Sequence, residues 1–231
     1  MINKFNNIVL NVPHASMGNW SEGWDDPFRL FPHMKKWTDW HTDILFKPSK
    51  DLSNRVIPVV FEQSRFFCDA ERLKNDPLED KGQGIIYTKF ENCSRTLSDV
   101  DKEALGRYWE SHQEFLKFEI QSDDTLLLDC HSFPSDLSDV HICIGFNDDW
   151  SKPSDDVIDF VKGAFEGLGY KVGINKPYGN SITPESSYKY KSMMIEVNKK
   201  CYMNEDTLVL NGFGFELLNK TLNDIYKQLL V

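Results

Sequence analysis

The chain has 231 residues, of which 40% are hydrophobic and 13% aromatic, so it can build a sizeable core and disorder is excluded. A single domain over residues 1–231 is therefore expected. The formal net charge of −10 argues against nucleic acid or an anionic membrane as the partner. No apolar stretch approaches the ~20 residues of a membrane span.

Strand and helix patterns alternate along the chain, as they do in α/β folds. The strand patterns lie at residues 8–12, 55–61, 125–130, 141–145, 170–174 and 192–198. The helical patterns lie at residues 32–46, 97–120, 154–168 and 211–230. Pro58 places the second strand at an edge or a bulge. Ser98 and Asp101 give the longest helix a cap-like start, and the charged stretch 75–84 is typical of a surface loop.

The cysteine pattern indicates a reducing compartment. The five cysteines are odd in number and show no CxxC spacing. The first strand pattern begins at Ile8, close to the N-terminus, so we expect no signal peptide. The sequence therefore predicts a cytoplasmic protein with reduced thiols.

Two histidines directly follow apolar strand patterns. His14 comes after the first pattern and His131 after the third. In open α/β sheets, ligands bind where strands end. Two strand-end histidines from distant segments suggest one metal site; the alternative is that each is a hydrogen-bonded loop histidine.

Two groups of acidic residues could complete such a site. Asp39 and Asp43 lie close together, on one face of the helix predicted for residues 32–46. Glu196 stands alone in an apolar run, where a carboxylate is costly unless it is paired or serves a metal site. The alternative for Glu196 is a strand residue that faces solvent.

These residue types match the needs of a zinc hydrolase. Such an enzyme requires three protein ligands, one open position, and a carboxylate that moves the proton of a water molecule. His14, His131 and one of Asp39 or Asp43 could be the ligands. Glu196 could then be the general base.

Five motifs in order resemble the N-formylglutamate amidohydrolase family. They are Pro-His-Ala-Ser at 13–16, Thr-Asp-Trp-His at 38–41, Ser-Arg-Phe-x-x-Asp-x-x-Arg at 64–72, Asp-x-His-Ser at 129–132 and Ile-Glu-x-Asn-x-x-x-Tyr-Met at 195–203. Each motif alone is weak, but together they span nearly the whole chain. The resemblance implies a fold similar to the zinc carboxypeptidases, with a mixed, mostly parallel sheet and helices on both faces.

The resemblance also implies a Zn²⁺ cofactor held by His14, His131 and a carboxylate. In the carboxypeptidases, a ligand Glu follows the first ligand histidine by three residues. Met17 occupies that position here. The third ligand is therefore expected to be Asp39, with Asp43 as the second choice.

Further residues of the motifs are expected to support the ligands. Asp129 lies two residues before His131 and could orient its imidazole, as metal-bound histidines usually require. Asp43 and His41 are left with a similar supporting role. His112, on the longest predicted helix, is expected to have at most such a role.

Arg65 and Arg72 indicate what kind of substrate the protein binds. The planar guanidinium group pairs with a carboxylate through two parallel hydrogen bonds. By resemblance, the two arginines are expected to hold the carboxylate groups of an N-acylated acidic amino acid, and Asn198 is expected to contact the substrate. The alternative is that both arginines form salt bridges with Asp69 or Glu71.

One segment departs from the family pattern. Typical members have Gly-Gly-x-Ile-Thr-Arg-His-Tyr-Gly before the final motif, whereas this chain keeps Ile182 and Thr183 but has Pro184 and Glu185 in place of Arg and His. N-formylglutamate itself is therefore in doubt, and another N-acyl amino acid or a small peptide fits at least as well.

The sequence thus predicts a zinc-dependent amide hydrolase acting on a small-molecule acyl amino acid or peptide. The alternative from another class is a non-catalytic module that keeps the fold and binds a carboxylate ligand.

Overall fold

The computed structural model describes residues 4–231. Residues 1–3 lie outside the described residues, and the expectation that the N-terminus carries no signal peptide falls partly on them. The strands are β1 Asn7–Val12, β2 Val56–Val60, β3 Lys89–Phe90, β4 Cys93–Ser94, β5 Thr125–Phe133, β6 Ile142–Gly145, β7 Val172–Ile174 and β8 Lys191–Asn198. The α-helices are α1 Pro27–Trp37, α2 Thr42–Leu45, α3 Asp99–Glu119, α4 Asp155–Glu166 and α5 Gly212–Leu229.

Six strands form one sheet in the order β2-β1-β5-β8-β6-β7. Every neighbouring pair is parallel except β6 with β8, which is antiparallel. The prediction of a mixed, mostly parallel sheet is therefore confirmed. Strand β2 lies at an edge, where Pro58 costs no hydrogen bond to a second neighbour.

Helices cover both faces of the sheet because successive strand residues point to opposite sides. Val9 and Leu127 pack on one side against Ile120, at the end of α3. Leu10 and Leu128 pack on the other side, in the core cluster that contains the buried residues of α4 and α5. Each strand of the sheet centre is thus buried on both faces, as its continuous apolar run requires.

The helix predicted over residues 32–46 is broken. Helix α1 ends at Trp37, Thr38 is extended, and the short α2 begins at Thr42. Asp39 therefore lies in the connection between the two helices, where its backbone N–H donates to the carbonyl of His14. The sequence pattern missed this break because the apolar spacing continues across it.

The longest helix has the start that the sequence predicts. The Ser98 side chain accepts from the backbone of Asp101, and the Asp101 carboxylate accepts from the backbone of Ser98. This reciprocal capping box satisfies two N–H groups that have no partner within the helix. The small β3–β4 hairpin has no counterpart among the predicted strands. Within residues 4–231, no helix is long and apolar enough to cross a membrane.

Candidate active site

Two buried histidines meet at the carboxyl-terminal ends of neighbouring parallel strands. His14 follows β1, and His131 lies near the end of β5. Because β1 and β5 pair in parallel, the two imidazole rings lie side by side with centroids 5.1 Å apart. Neither histidine is more than 3% exposed. The sequence prediction that distant segments bring these residues together is confirmed.

A buried aspartate holds the Nε2 atom of each imidazole. His14 Nε2 lies 2.7 Å from Asp69 Oδ1, and His131 Nε2 lies 3.0 Å from Asp129 Oδ1. A carboxylate on the outer ring nitrogen fixes the tautomer of a metal-binding histidine and directs the other nitrogen to the metal. Both rings therefore turn Nδ1 away from these aspartates, and of the two Nδ1 atoms only that of His14 lacks a hydrogen-bond partner within residues 4–231.

Asp39 lies at the Nδ1 edge of the histidine pair. Its Oδ2 atom is 3.0 Å from His131 Nδ1 and 3.8 Å from His14 Nδ1. Burial alone would raise the pKa of Asp39, but interactions with His131 and His14 outweigh it and hold the pKa well below its usual range. Asp39 is thus an ionised carboxylate that faces both imidazoles.

Glu71 lies at the opposite, Nε2 edge of the pair. Its carboxylate oxygens are 3.6 Å from His131 Nε2 and 3.8 Å from His14 Nε2. Ligand atoms of His14, Glu71 and His131 lie within 4.8 Å of one another, so this cluster could hold a metal ion. From the sequence, Glu71 was expected only as a salt-bridge partner of the arginines. Its position two residues after Asp69, in the same motif, was the available signal.

The two arginines surround Asp69. Arg65 Nη2 lies 3.2 Å from Asp69 Oδ2, and Arg72 Nη1 lies 3.2 Å from Glu71 Oε2. The Tyr87 hydroxyl donates to the same oxygen of Asp69. The structure therefore contains the salt bridges that were the alternative for Arg65 and Arg72, and these pairs lie against the histidine cluster.

Glu196 is adjacent to His131 across the β5–β8 pair. Among the described residues its Oε2 is one of the few buried side-chain atoms without a hydrogen-bond partner. Burial raises the pKa of Glu196 to about 8, and the charges of Asp39 and Glu71 act in the same direction. The alternative of a solvent-facing strand residue is wrong, since Glu196 is 8% exposed.

The acidic side chains of this cluster are matched by basic ones. Asp39, Asp69, Glu71 and Asp129 lie among Arg65, Arg72 and Lys199. Burial alone would lower the pKa of His131, but Asp129, Glu71 and Asp39 outweigh it and raise the pKa well above its usual value, so a protonated His131 supplies the fourth positive charge. A divalent cation bound at this imidazole would take the place of that proton.

An unpaired atom marks where such a cation would fit. Within residues 4–231, His14 Nδ1 is fully buried and has no hydrogen-bond partner. Unpaired buried nitrogens are rare in native proteins. The atom faces the ionised Asp39 carboxylate and lies beside His131. Two imidazole nitrogens and one carboxylate oxygen are a donor set that suits zinc.

Three residues expected at the site have other roles. The Asn198 side chain donates to the carbonyls of Ser138 and Val140 and accepts from the backbone N–H of Lys200, so its amide is fully used within the protein. His41 Nε2 bonds to the carbonyl of Leu208. Asp43 is exposed in α2. The contacts of Asn198 and His41 point to structural roles, and within residues 4–231 none of the three side chains has a hydrogen bond to the histidine pair.

The segment that departs from the family pattern passes beside Asp129. The backbone N–H of Ile182 donates to Asp129 Oδ2, and the carbonyl of Pro184 accepts from the Tyr190 hydroxyl. Glu185 is exposed. Part of this segment thus supports the carboxylate that holds His131.

A hydrogen-bond chain leads from the site to helix α3. Asp129 accepts from the Asn11 side chain, and Asn11 Oδ1 lies 2.8 Å from His112 Nε2. His112 is 3% exposed and its ring packs edge-on against Phe61. Burial and the charge of His14 lower the pKa of His112 to about 4, with Asp129 opposing. His112 therefore supports the site from outside, as expected.

The low pKa of His112 predicts a loss of stability in acid. An unfolded histidine binds its proton near pH 6.5, whereas the folded one does so near pH 4. The folded state is thus penalised as pH falls from 6.5 to 4, by on the order of 3 kcal/mol in all. His112→Gln keeps a hydrogen-bonding amide and should lose less stability over that range. Urea unfolding of both proteins across the range measures the difference, and parallel curves would contradict the prediction.

The fold is similar to two solved structures. One is the crystal structure of an N-formylglutamate amidohydrolase from Ralstonia eutropha JMP134, with a TM-score of 0.76 and 18% identity over 98% of this chain and 93% of that chain. The other is a gene product from Agrobacterium tumefaciens, with a TM-score of 0.57 and 17% identity over 95% of this chain and 92% of that chain. A comparison with curated proteins found no match. The fold is thus shared with a class that includes an amidohydrolase.

The sequence itself identifies the family. The sequence model of N-formylglutamate amidohydrolase matches residues 6–203, which contain both histidines, both arginines and Glu196. The chain belongs to the N-formylglutamate amidohydrolase family. The resemblance seen in the five motifs is therefore confirmed.

Proposed function

We propose that this protein is a zinc-dependent hydrolase that cleaves the amide bond of an N-acyl amino acid. One observation carries the proposal. Two buried imidazoles, each held at Nε2 by an aspartate, direct Nδ1 towards Asp39, and His14 Nδ1 has no partner among the described residues. Such carboxylate–histidine pairs are typical of zinc sites that keep one position open for chemistry.

The metal ligands in this proposal are His14 Nδ1, His131 Nδ1 and Asp39. Glu71 is the competing third ligand, since it lies near both Nε2 atoms. Those atoms, however, already bond to Asp69 and Asp129 at shorter distances. A metal at that edge would also leave His14 Nδ1 unpaired. Asp39 therefore fits better than Glu71.

A zinc ion in this site would supply Lewis acidity, which makes water more acidic and polarises the substrate carbonyl. Glu196 takes a proton from the attacking water with its unpaired Oε2 and then passes it to the departing nitrogen. Water is thereby added across the amide, giving a carboxylic acid and an amine. Asp69 and Asp129 keep the two imidazoles in place.

Arg65 and Arg72 give the site a position for the carboxylate of the substrate. Their side chains are 15% and 14% exposed, so their guanidinium groups are largely shielded from water and still reachable. A carboxylate bound there would hold the acyl carbonyl in one orientation. The partner is thus a small acyl amino acid or peptide.

Two wider features accompany this function. We propose that the chain acts as one domain, because a single sheet takes its strands from residues 7–198 and α5 contributes to the same core. We also propose a cytoplasmic location, because its cysteines are free and mostly buried.

A substrate panel tests the proposal. Purified protein, analysed for metal content, should release free amino acid from at least one N-formyl or N-acetyl amino acid, and removal of zinc by a chelator should abolish this release. Added zinc should restore it. A zinc-containing protein that binds these compounds without turning over any of them would instead support the non-catalytic carboxylate-binding module.

A further inference from the structure

We infer that Glu71 restricts this enzyme to substrates with one carboxylate, by occupying the place that a second carboxylate would take against Arg72. This inference rests on the proposed function, because it concerns the substrate of the same site. It names the substrate class as N-acyl amino acids with an uncharged side chain.

Glu71 places a carboxylate of the protein itself beside both arginines. Its Oε2 lies 3.2 Å from Arg72 Nη1 and 4.0 Å from Arg65 Nη2. A ligand carboxylate that paired with Arg72 would need the same hydrogen-bond donor. Glu71 reaches that donor from within the chain, without the entropy loss that a free ligand suffers on binding.

Asp69, the other carboxylate beside the two arginines, cannot compete with a substrate carboxylate in this way. Asp69 is fully buried, and its oxygens accept from His14, Tyr87, Arg65 and the backbone N–H of Glu71. The Glu71 side chain is 23% exposed, the most of the four charged residues in the group. An incoming substrate therefore meets Glu71 before it meets Asp69.

Local charge leads to the same restriction. The two arginines are already balanced by Asp69 and Glu71. One substrate carboxylate can still pair with Arg65, which lies farther from Glu71 than Arg72 does. A second carboxylate against Arg72 would lie beside the Glu71 carboxylate, and the two like charges would repel each other.

Glu71→Gln tests the inference, because it keeps the shape of the side chain and removes its charge. The ligands are L-glutamate and L-glutamine, which differ only in the charge of the side chain, and their N-formyl derivatives serve as substrates. Calorimetry gives the two affinities, and kinetics gives the two kcat/KM values. We expect the glutamate-to-glutamine ratio to rise by on the order of 10–100-fold in Glu71→Gln in both measurements.

Controls separate charge, shape and metal binding. Glu71→Asp keeps the charge and should retain the low ratio, and Glu110→Gln makes the same change of net charge on the exposed side of α3. Zinc content should be equal in all variants. An unchanged ratio, no binding of L-glutamate by Glu71→Gln, or loss of zinc from that variant would overturn the inference. If neither an N-formyl nor an N-acetyl amino acid of the panel is hydrolysed by any variant, the proposed function fails, while calorimetry still decides the role of Glu71.

Discussion

Glu196→Gln should reduce turnover by roughly 10²–10⁴-fold while zinc content and substrate affinity change little. Glutamine has nearly the same shape, so the packing of β8 is retained. It cannot take a proton from water, and the general base acts in the transition state. The loss should therefore fall on kcat, with KM nearly constant. Steady-state kinetics on the best substrate of the panel measures both constants.

The environment of Glu196 makes this result specific. Its Oε2 has no hydrogen-bond partner within residues 4–231, so no structural hydrogen bond at that atom is lost on substitution. Glu110→Gln is the matched control, because it makes the same chemical change on an exposed part of α3. Near-normal turnover in Glu196→Gln would refute the proposed mechanism. It would then favour an enzyme with a different base.

The fold was predictable because its main signals are local. Continuous apolar runs are required in strands buried on both faces, and all six strands of the sheet begin or end within a few residues of such runs. Pro58 indicated an edge strand or a bulge because proline has no backbone N–H to donate to a second neighbouring strand. The break after Trp37 was not predictable from spacing, since it depends on the hydrogen bond between Asp39 and the carbonyl of His14.

The site was predictable in its histidines and less so in its carboxylates. His14 and His131 follow adjacent strands, so the sheet order alone brings them together. Glu71 approaches them through a loop, and loop geometry depends on long-range contacts such as that between Asp69 and His14. Asn198 lies in a family motif, yet its hydrogen bonds serve the backbone. Motif position does not separate a ligand-binding amide from a structural one.

Loss of zinc from His14→Ala and His131→Ala is the other large expected effect. Purified protein should contain about one zinc ion per chain, since a single three-ligand site is proposed. Removing either imidazole leaves two ligands, which should lower zinc affinity far more than the roughly 10–100-fold expected for Asp129→Asn, whose carboxylate only orients His131. Metal analysis and competition with a chromogenic chelator measure these affinities.

The same measurement decides between Asp39 and Glu71 as the third ligand. Asp39→Ala should weaken zinc binding more than Asp129→Asn does, because it removes a direct ligand, and Glu71→Gln should leave the affinity nearly unchanged. The reverse order would place the metal at the Nε2 edge of the histidines and remove the basis for a substrate-restricting Glu71. Full zinc occupancy in both His14→Ala and His131→Ala would show that the metal binds elsewhere.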